Sequence, residues 1–205
     1  MPPEREESMN AMLKPISVSR HRTLRVHPFQ VTRAAPWDIL FFLTEVESGA
    51  AERHFIPEIS FSQKVQNALA LRCAKAILEG VWGLGRLFKS DQFESDQFVV
   101  VRRGNQTLGA ALASTVCAKG NPKTVTIEYL VVESGFRRQG VGEALVRHFQ
   151  ANATDGSELC AYCTAQSMGM RKLLRRLDFK CANKATSILD GGITLHLPSC
   201  WIWRR

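Results

Sequence analysis

Arg137, Arg138, Gln139, Gly140, Val141 and Gly142 form an RxxGxG run, placed directly after the apolar residues Leu130, Val131 and Val132 and directly before a helical pattern. A strand, a glycine-containing turn and a helix start in that order can bind an anion. The turn aims several backbone N–H groups at one point, the positive end of the helix macrodipole adds to them, and glycines let a phosphate approach the main chain. A pyrophosphate fits such a turn. The spacing lacks the first glycine of GxGxxG and the phosphate lysine of GxxxxGK[ST], so it is neither a dinucleotide fingerprint nor a triphosphatase loop. An ordinary strand-to-helix turn that happens to use glycine is the alternative, and the flanking elements have to decide.

The second candidate is Glu128, which interrupts the apolar run VTIEYLVV four residues before Val132. By strand alternation it shares a face with Thr126 and Leu130, and Tyr129 faces the other way. A carboxylate among apolar neighbours is expected to have a raised pKa, which suits a general base near neutral pH. A structural carboxylate bonded to a neighbouring strand is the competing reading. His54 and His196 lie where a substrate cleft could reach them, whereas His148 falls on a helix surface. Arg171, Lys172, Arg175 and Arg176 read as a solvated helix face that could also meet a phosphate.

These residues need elements to hold them. Phe29 to Arg33 alternate like a strand, Pro36 suits a first helical turn, and Trp37, Leu40, Phe41 and Leu43 or Thr44 share a helical face before Ser48 and Gly49 stop it. From Ser62 to Leu78 the three- and four-residue steps of Val65, Leu69, Cys73 and Ala76 mark a second helix. Gln97 to Arg103 and Thr107 to Val116 form a hairpin across Gly104 and Asn105, and Val125 to Val132 feeds the turn. Beyond the turn come a helix over Glu143 to Gln150, a strand over Leu159 to Thr164 and a helix carrying Met170, Leu173, Leu174 and Leu177. Ala185 to Leu189 and Ile193 to Leu197 complete a last hairpin.

The order β, α, α, β, β, β, α, β, α, β, β around RxxGxG resembles the GNAT superfamily of acetyltransferases. The resemblance runs from about Phe29 to the C-terminus, and VTRAAPWD is similar to the family's opening strand and helix. It implies an α+β fold with a central mixed, mostly antiparallel sheet, helices on both sides and a V-shaped cofactor cleft. It also implies acetyl transfer from acetyl-CoA, as co-substrate and without a metal, to a primary amine by direct transfer in a ternary complex. In the family, backbone groups of the fourth strand hold the pantetheine arm, here Leu130, Val131 and Val132, and a main-chain N–H at that strand's bulge, here Val132 or its neighbour, serves the oxyanion. Turn amides from Arg137 to Gly142 hold the pyrophosphate, and Glu128 matches the position of the family's base.

One departure concerns the general acid. Many members carry a tyrosine in a pattern like NxxAxxLYxxxGF. On SMGMRKLLRRLDF that pattern puts Ser167 at the asparagine, where it joins the cofactor site, Leu174 at the tyrosine and Asp178 at the glycine. Leu174 cannot donate a proton, and the only tyrosines are Tyr129 and Tyr162. The alternative to an enzyme is therefore an acyl-CoA-binding regulatory or interaction module with attenuated turnover.

At 205 residues the chain suits one domain, residues 29–205, behind a basic arm at 1–28 that mixes both charges with prolines. The six cysteines lack scaffold density, and Cys160 and Cys163 alternate across a strand, so reduced thiols in a cytoplasmic protein are expected rather than disulfides or a shared metal. No stretch approaches the roughly 18 to 20 apolar residues of a membrane span. The net charge of +8 favours anionic partners, but no aromatic–basic stripe marks a nucleic-acid face. The acceptor stays open among small amines, peptide amines and aminoacyl-tRNA, as does a homodimer.

Overall fold

The computed structural model describes residues 29–55, 62–82, 92–118, 123–184, 186–190 and 193–205. The arm at 1–28 and residues 56–61 of the loop after the first helix lie outside them. In chain order the elements are β1 (Gln30–Arg33), α1 (Asp38–Ala51), α2 (Gln63–Trp82), β2 (Gln92–Arg103), β3 (Gln106–Ala118) and β4 (Thr124–Val132). A 3-10 turn at Ser134–Phe136 leads to α3 (Val141–Asn152), β5 (Glu158–Cys163), α4 (Met168–Arg176), β6 (Lys180–Asn183), β7 (Thr186–Asp190), β8 (Ile193–Leu197) and β9 (Ser199–Arg204).

The main sheet has the order β1-β2-β3-β4-β5-β9-β6, antiparallel at every pairing except β4 with β5. Strand alternation divides its side chains between two cores. Val99, Val101, Ala111, Val125 and Ile127 pack against Leu145 and Phe149 of α3 and Leu174 of α4. Phe98, Val100, Leu112 and Val131 pack on the other face against Phe42 and Val46 of α1 and Leu69 and Cys73 of α2. Burying each of these larger side chains contributes about 1.5–3 kcal/mol, so both helical layers are held by apolar area. Among the described residues no helix is long and apolar enough to cross a membrane.

Three sequence expectations change. The first helix runs through Ser48 and Gly49 to Ala51. Gly49 is there for packing, because a Cβ on it would lie 2.7 Å from Cε2 of Phe55. The last hairpin forms as expected, but as a separate two-stranded sheet. Two strands, β6 and β9, escaped the pattern, and β9 inserts between β5 and β6.

Asp38 locks α1 to the hairpin. Its buried carboxylate accepts hydrogen bonds from Ala35 N at 2.7 Å, Thr107 Oγ1 at 2.7 Å and the Arg102 guanidinium. Asp38→Asn keeps the shape and removes the charge that Arg102 meets. It is expected to cost about 2 kcal/mol, read as a lower urea midpoint with an unchanged m-value.

Candidate functional site

The cleft originates where β4 and β5 part. Their parallel pairing covers only Thr124 to Ile127 against Glu158 to Ala161, and beyond it Glu128 to Val132 have no partner strand on that side among the described residues. The register against β3 also shifts there: Leu112 opposes Tyr129 while Ala113 opposes Ile127, leaving Glu128 as the extra residue of a β-bulge. The bulge was expected at Val132 or its neighbour, whereas Val132 and Val131 pair regularly with Gly109 and Ala110. A cavity of about 780 Å³ fills the V, and its walls include Leu130, Val131, Val132, Arg137, Arg138, Gly140, Gly142 and Ser167.

At the mouth of the V the turn is shaped for an anion. Arg138 (φ 63°) and Gly140 (φ 94°) are both left-handed, a conformation that costs a non-glycine residue energy and turns successive N–H groups inward. Gly140 caps α3 without a side-chain hydrogen bond, and its carbonyl accepts from Ala144 N at 2.9 Å. The amides of Val141, Gly142 and Glu143 therefore open the helix without intrahelical acceptors. Two expected cofactor residues, Gln139 and Val141, are not among the cavity's lining residues. Gln139 folds its side chain back to donate to Gly135 O at 2.8 Å, and the Val141 side chain is buried in the core.

Glu128 lines the cavity, but its surroundings are not apolar. Arg72 of α2 donates to both its oxygens, Nη1 to Oε2 at 2.7 Å and Nη2 to Oε1 at 3.0 Å. The same guanidinium holds Asp96 of β2 through Nη2 to Oδ1 at 2.6 Å and Nε to Oδ2 at 3.2 Å. Burial pushes the Glu128 carboxyl up, yet hydrogen bonds from Arg72 and Ser114 and the Arg72 charge outweigh it and hold the group below its ordinary value. The expectation of a raised pKa is thereby corrected, and so is the facing. The bulge turns Glu128 and Tyr129 to the α1–α2 side, where Tyr129 meets Phe42 and Phe55, while Leu130 packs toward α3 and α4. Sequence reading missed Arg72, because nothing in α2 marks one arginine among its polar positions as the partner of a strand 56 residues away.

The loop after α1 bridges the top of the cleft. Thr164 Oγ1 donates to Arg53 O at 3.1 Å and His54 O at 3.3 Å, and Ser167 Oγ donates to His54 O at 3.1 Å. On the other side Glu52 pairs with Arg137 at 3.3 Å and with His54 Nε2 at 3.2 Å. Ser167 thus reaches the cavity with its hydroxyl already engaged, and His54 joins the walls. Tyr162, 56% exposed, also lines it, and its phenol is raised first by the neighbouring Cys200 thiol.

Leu174, at the family's tyrosine position, is fully buried, while its neighbour Leu173 faces the cavity. Asp178 takes the left-handed conformation, φ 66°, that the pattern's glycine supplies. The basic face of α4 divides its work: Arg176 pairs with Glu143 at 2.6 Å, Arg171 donates to Ala165 O, and Arg175 lies over Trp201. Only Lys172 and Arg176 of the four reach the cavity. His148 packs edge-on to Phe149, and the His196 side chain lies outside the described residues. Cys160 and Cys163 face opposite sides, Cys163 joining the α3–α4 core.

Residues 94–181, from β2 into β6, match the profile of the Acetyltransferase (GNAT) domain. No curated protein sequence is significantly similar to the chain. Solved structures share the architecture. A GNAT-family protein of Desulfovibrio desulfuricans superposes with a TM-score of 0.59 at 14% identity, over 86% of this chain and 98% of its own. A GNAT-family acetyltransferase of Bacillus cereus gives 0.54 at 14% identity over 86% and 97%. A Corynebacterium glutamicum protein described as histone acetyltransferase HPA2 and related acetyltransferase gives 0.54 at 19% identity over 84% and 94%. At these identities the likeness is one of fold.

Proposed function

We propose, from the match of residues 94–181 to the Acetyltransferase (GNAT) domain, that the chain is a GNAT acetyltransferase that transfers an acetyl group from acetyl-CoA to a primary amine by direct transfer in a ternary complex. One observation carries the donor side of this reading: an unpartnered strand edge, Glu128 to Val132, leads straight to an uncapped helix start inside a single cavity. That arrangement fits a long ligand with an amide-bearing arm and an anionic head. The β4 backbone would hold the pantetheine amides, and the amides of Val141 to Glu143 the pyrophosphate. Arg138 and Lys172 line the cavity without a hydrogen bond or close ion pair to any described residue, which leaves both free for phosphate oxygens.

The bound thioester supplies an activated acyl carbon; the chain's task is to align an amine with it and to take up a proton. Main-chain groups at the Glu128 bulge, turned out of the regular ladder, are the oxyanion donors this geometry offers. With leucine at 174 and no serine, threonine or tyrosine between Met168 and Arg176, α4 offers no hydroxyl to the leaving sulfur. A thiolate is a good leaving group, so solvent can protonate it.

Saturating acetyl-CoA is expected to stabilise the protein by about 2.7 kcal/mol at a hundredfold excess over Kd, which raises Tm by roughly 5–10 °C. No shift would remove the CoA reading. Free-thiol release across an amine and peptide panel, with the acetylated product weighed by mass spectrometry, then separates an enzyme from a CoA-binding module.

A further inference from the structure

The ionisable groups on the cavity wall are mostly satisfied within the protein. Glu128 is taken by Arg72, Glu143 by Arg147 and Arg176, and Arg137 and the Nε2 of His54 by Glu52, while the buried Nδ1 of His54 has no hydrogen-bond partner among the described residues. Arg138 and Lys172 remain on the side assigned to the cofactor phosphates. One carboxylate on the wall also remains, Glu45 of α1, which lies within electrostatic reach of Arg137 but which no hydrogen bond or close ion pair to a described residue engages. It lies three residues after Phe42 and four before Gly49, on the inward stripe of the helix, so it is half-buried beside Gly49 and Phe55. The positive charge nearest in effect, Arg137, is already ion-paired with Glu52, so the partly desolvated Glu45 carboxylate is costly to keep, and a cation brought by the substrate would offset that cost.

We infer that Glu45 receives the ammonium group of the acceptor and takes its proton. The inference rests on the acetyl-transfer reading above. One N–H bond of the ammonium breaks as an O–H bond forms on the Glu45 carboxylate. The freed nitrogen lone pair then forms the C–N bond to the acyl carbon while the C–S bond breaks and its electrons leave with sulfur. The amide nitrogen sheds one further proton, which neutralises the thiolate, so one ammonium and one thioester give one amide, one thiol and a protonated Glu45. The surroundings suit this role. Burial raises the carboxyl, the Arg137 charge lowers it, and Glu133 and Glu52 raise it again, with a net increase. Glu128 from β4, His54 from the loop and Tyr162 from β5 line the same cavity. Glu128 is the less suitable base of the two carboxylates, because losing its ionised form would break the Arg72 pairing.

The test uses n-butylamine as acceptor and the Glu45→Gln and Glu45→Asp variants of the full chain. Glu45→Gln is expected to lower kcat/KM about 100-fold and to erase the acidic limb of its pH profile, and Glu45→Asp to keep the limb. The thermal shift with acetyl-CoA should be the same in all three proteins. In parallel, the 13C carboxyl resonance of Glu45 in CoA-saturated protein should move with n-butylammonium and stay put with n-butanol, a readout that needs no turnover. An intact acidic limb with kcat/KM within about threefold of wild type, or an unmoved Glu45 resonance, overturns the inference. Loss of the acetyl-CoA thermal shift in wild type would instead overturn the function itself.

Discussion

Replacing Arg72 by methionine is expected to cost the fold about 2–4 kcal/mol at neutral pH, below the full value for breaking a buried pair because the guanidinium is about one-third exposed. Arg72 stands between two carboxylates that face it from β2 and β4, Asp96 and Glu128, and contacts both oxygens of each. Its own pKa is raised, chiefly by the hydrogen bonds to Glu128 and Asp96, so it stays charged across the working range. Methionine fills the same volume and leaves the two anions opposed.

The pH dependence gives the sign. In wild type Glu128 titrates below its unfolded value, so the stability it contributes is present above that value and is lost as pH falls through the folded one. Without Arg72, burial dominates and the Glu128 carboxyl rises, so the variant regains stability on acidification as protonation relieves it. The gap between the two proteins should be widest near pH 7 and close toward about pH 4, measured as urea midpoints at a series of pH values. Adding Glu128→Gln to Arg72→Met should recover about 1–2 kcal/mol. A gap that does not change with pH would show that Arg72 acts through packing alone.

That ion-paired cluster also shows where reading the chain stopped. The change from a period-two run at VTIEYLVV to helical spacing after Gly142 is local, so β4, the turn and α3 could be placed from residues alone. Alternation predicted the faces of Val125 and Ile127 correctly and failed at Tyr129, because a bulge shifts the phase by one and leaves no local trace in sequence. The strand SCWIWR lacked an obvious place because its partners, β5 and β6, flank it in space after an intervening hairpin. Arg138 gives no hint of its left-handed backbone. Glu45 did leave a signal, a carboxylate on the inward stripe between Phe42 and Gly49, but the stripe identifies a helix before it identifies a site.

The last expected result concerns two glycines that sequence would rank in the wrong order. Gly142 belongs to the RxxGxG run, yet a Cβ there would meet Leu130 Cδ2 and Leu173 Cδ2 at 3.5 Å and Val132 Cγ2 at 3.7 Å, ordinary contact distances. Gly142→Ala should therefore fold and gain up to about 1 kcal/mol from helix propensity, although its methyl would stand among the cavity-lining Leu130, Val132 and Leu173. Gly109 lies outside the run, on β3 opposite Val132. A Cβ there would sit 2.7 Å from Val141 Cγ1 and 2.9 Å from the Val131 carbonyl oxygen. The valine side chain could rotate away, but the carbonyl belongs to β4 and cannot move without carrying the strand edge with it. Gly109→Val should cost about 1–3 kcal/mol and push the start of α3 off the sheet, misaligning the turn amides with β4. Its Kd for acetyl-CoA should rise more than tenfold by calorimetry, even at temperatures where circular dichroism shows the domain folded. A Kd for Gly109→Val within about threefold of wild type would mean that the cradle tolerates displacement, and that close packing of α3 onto Gly109 is not what positions it.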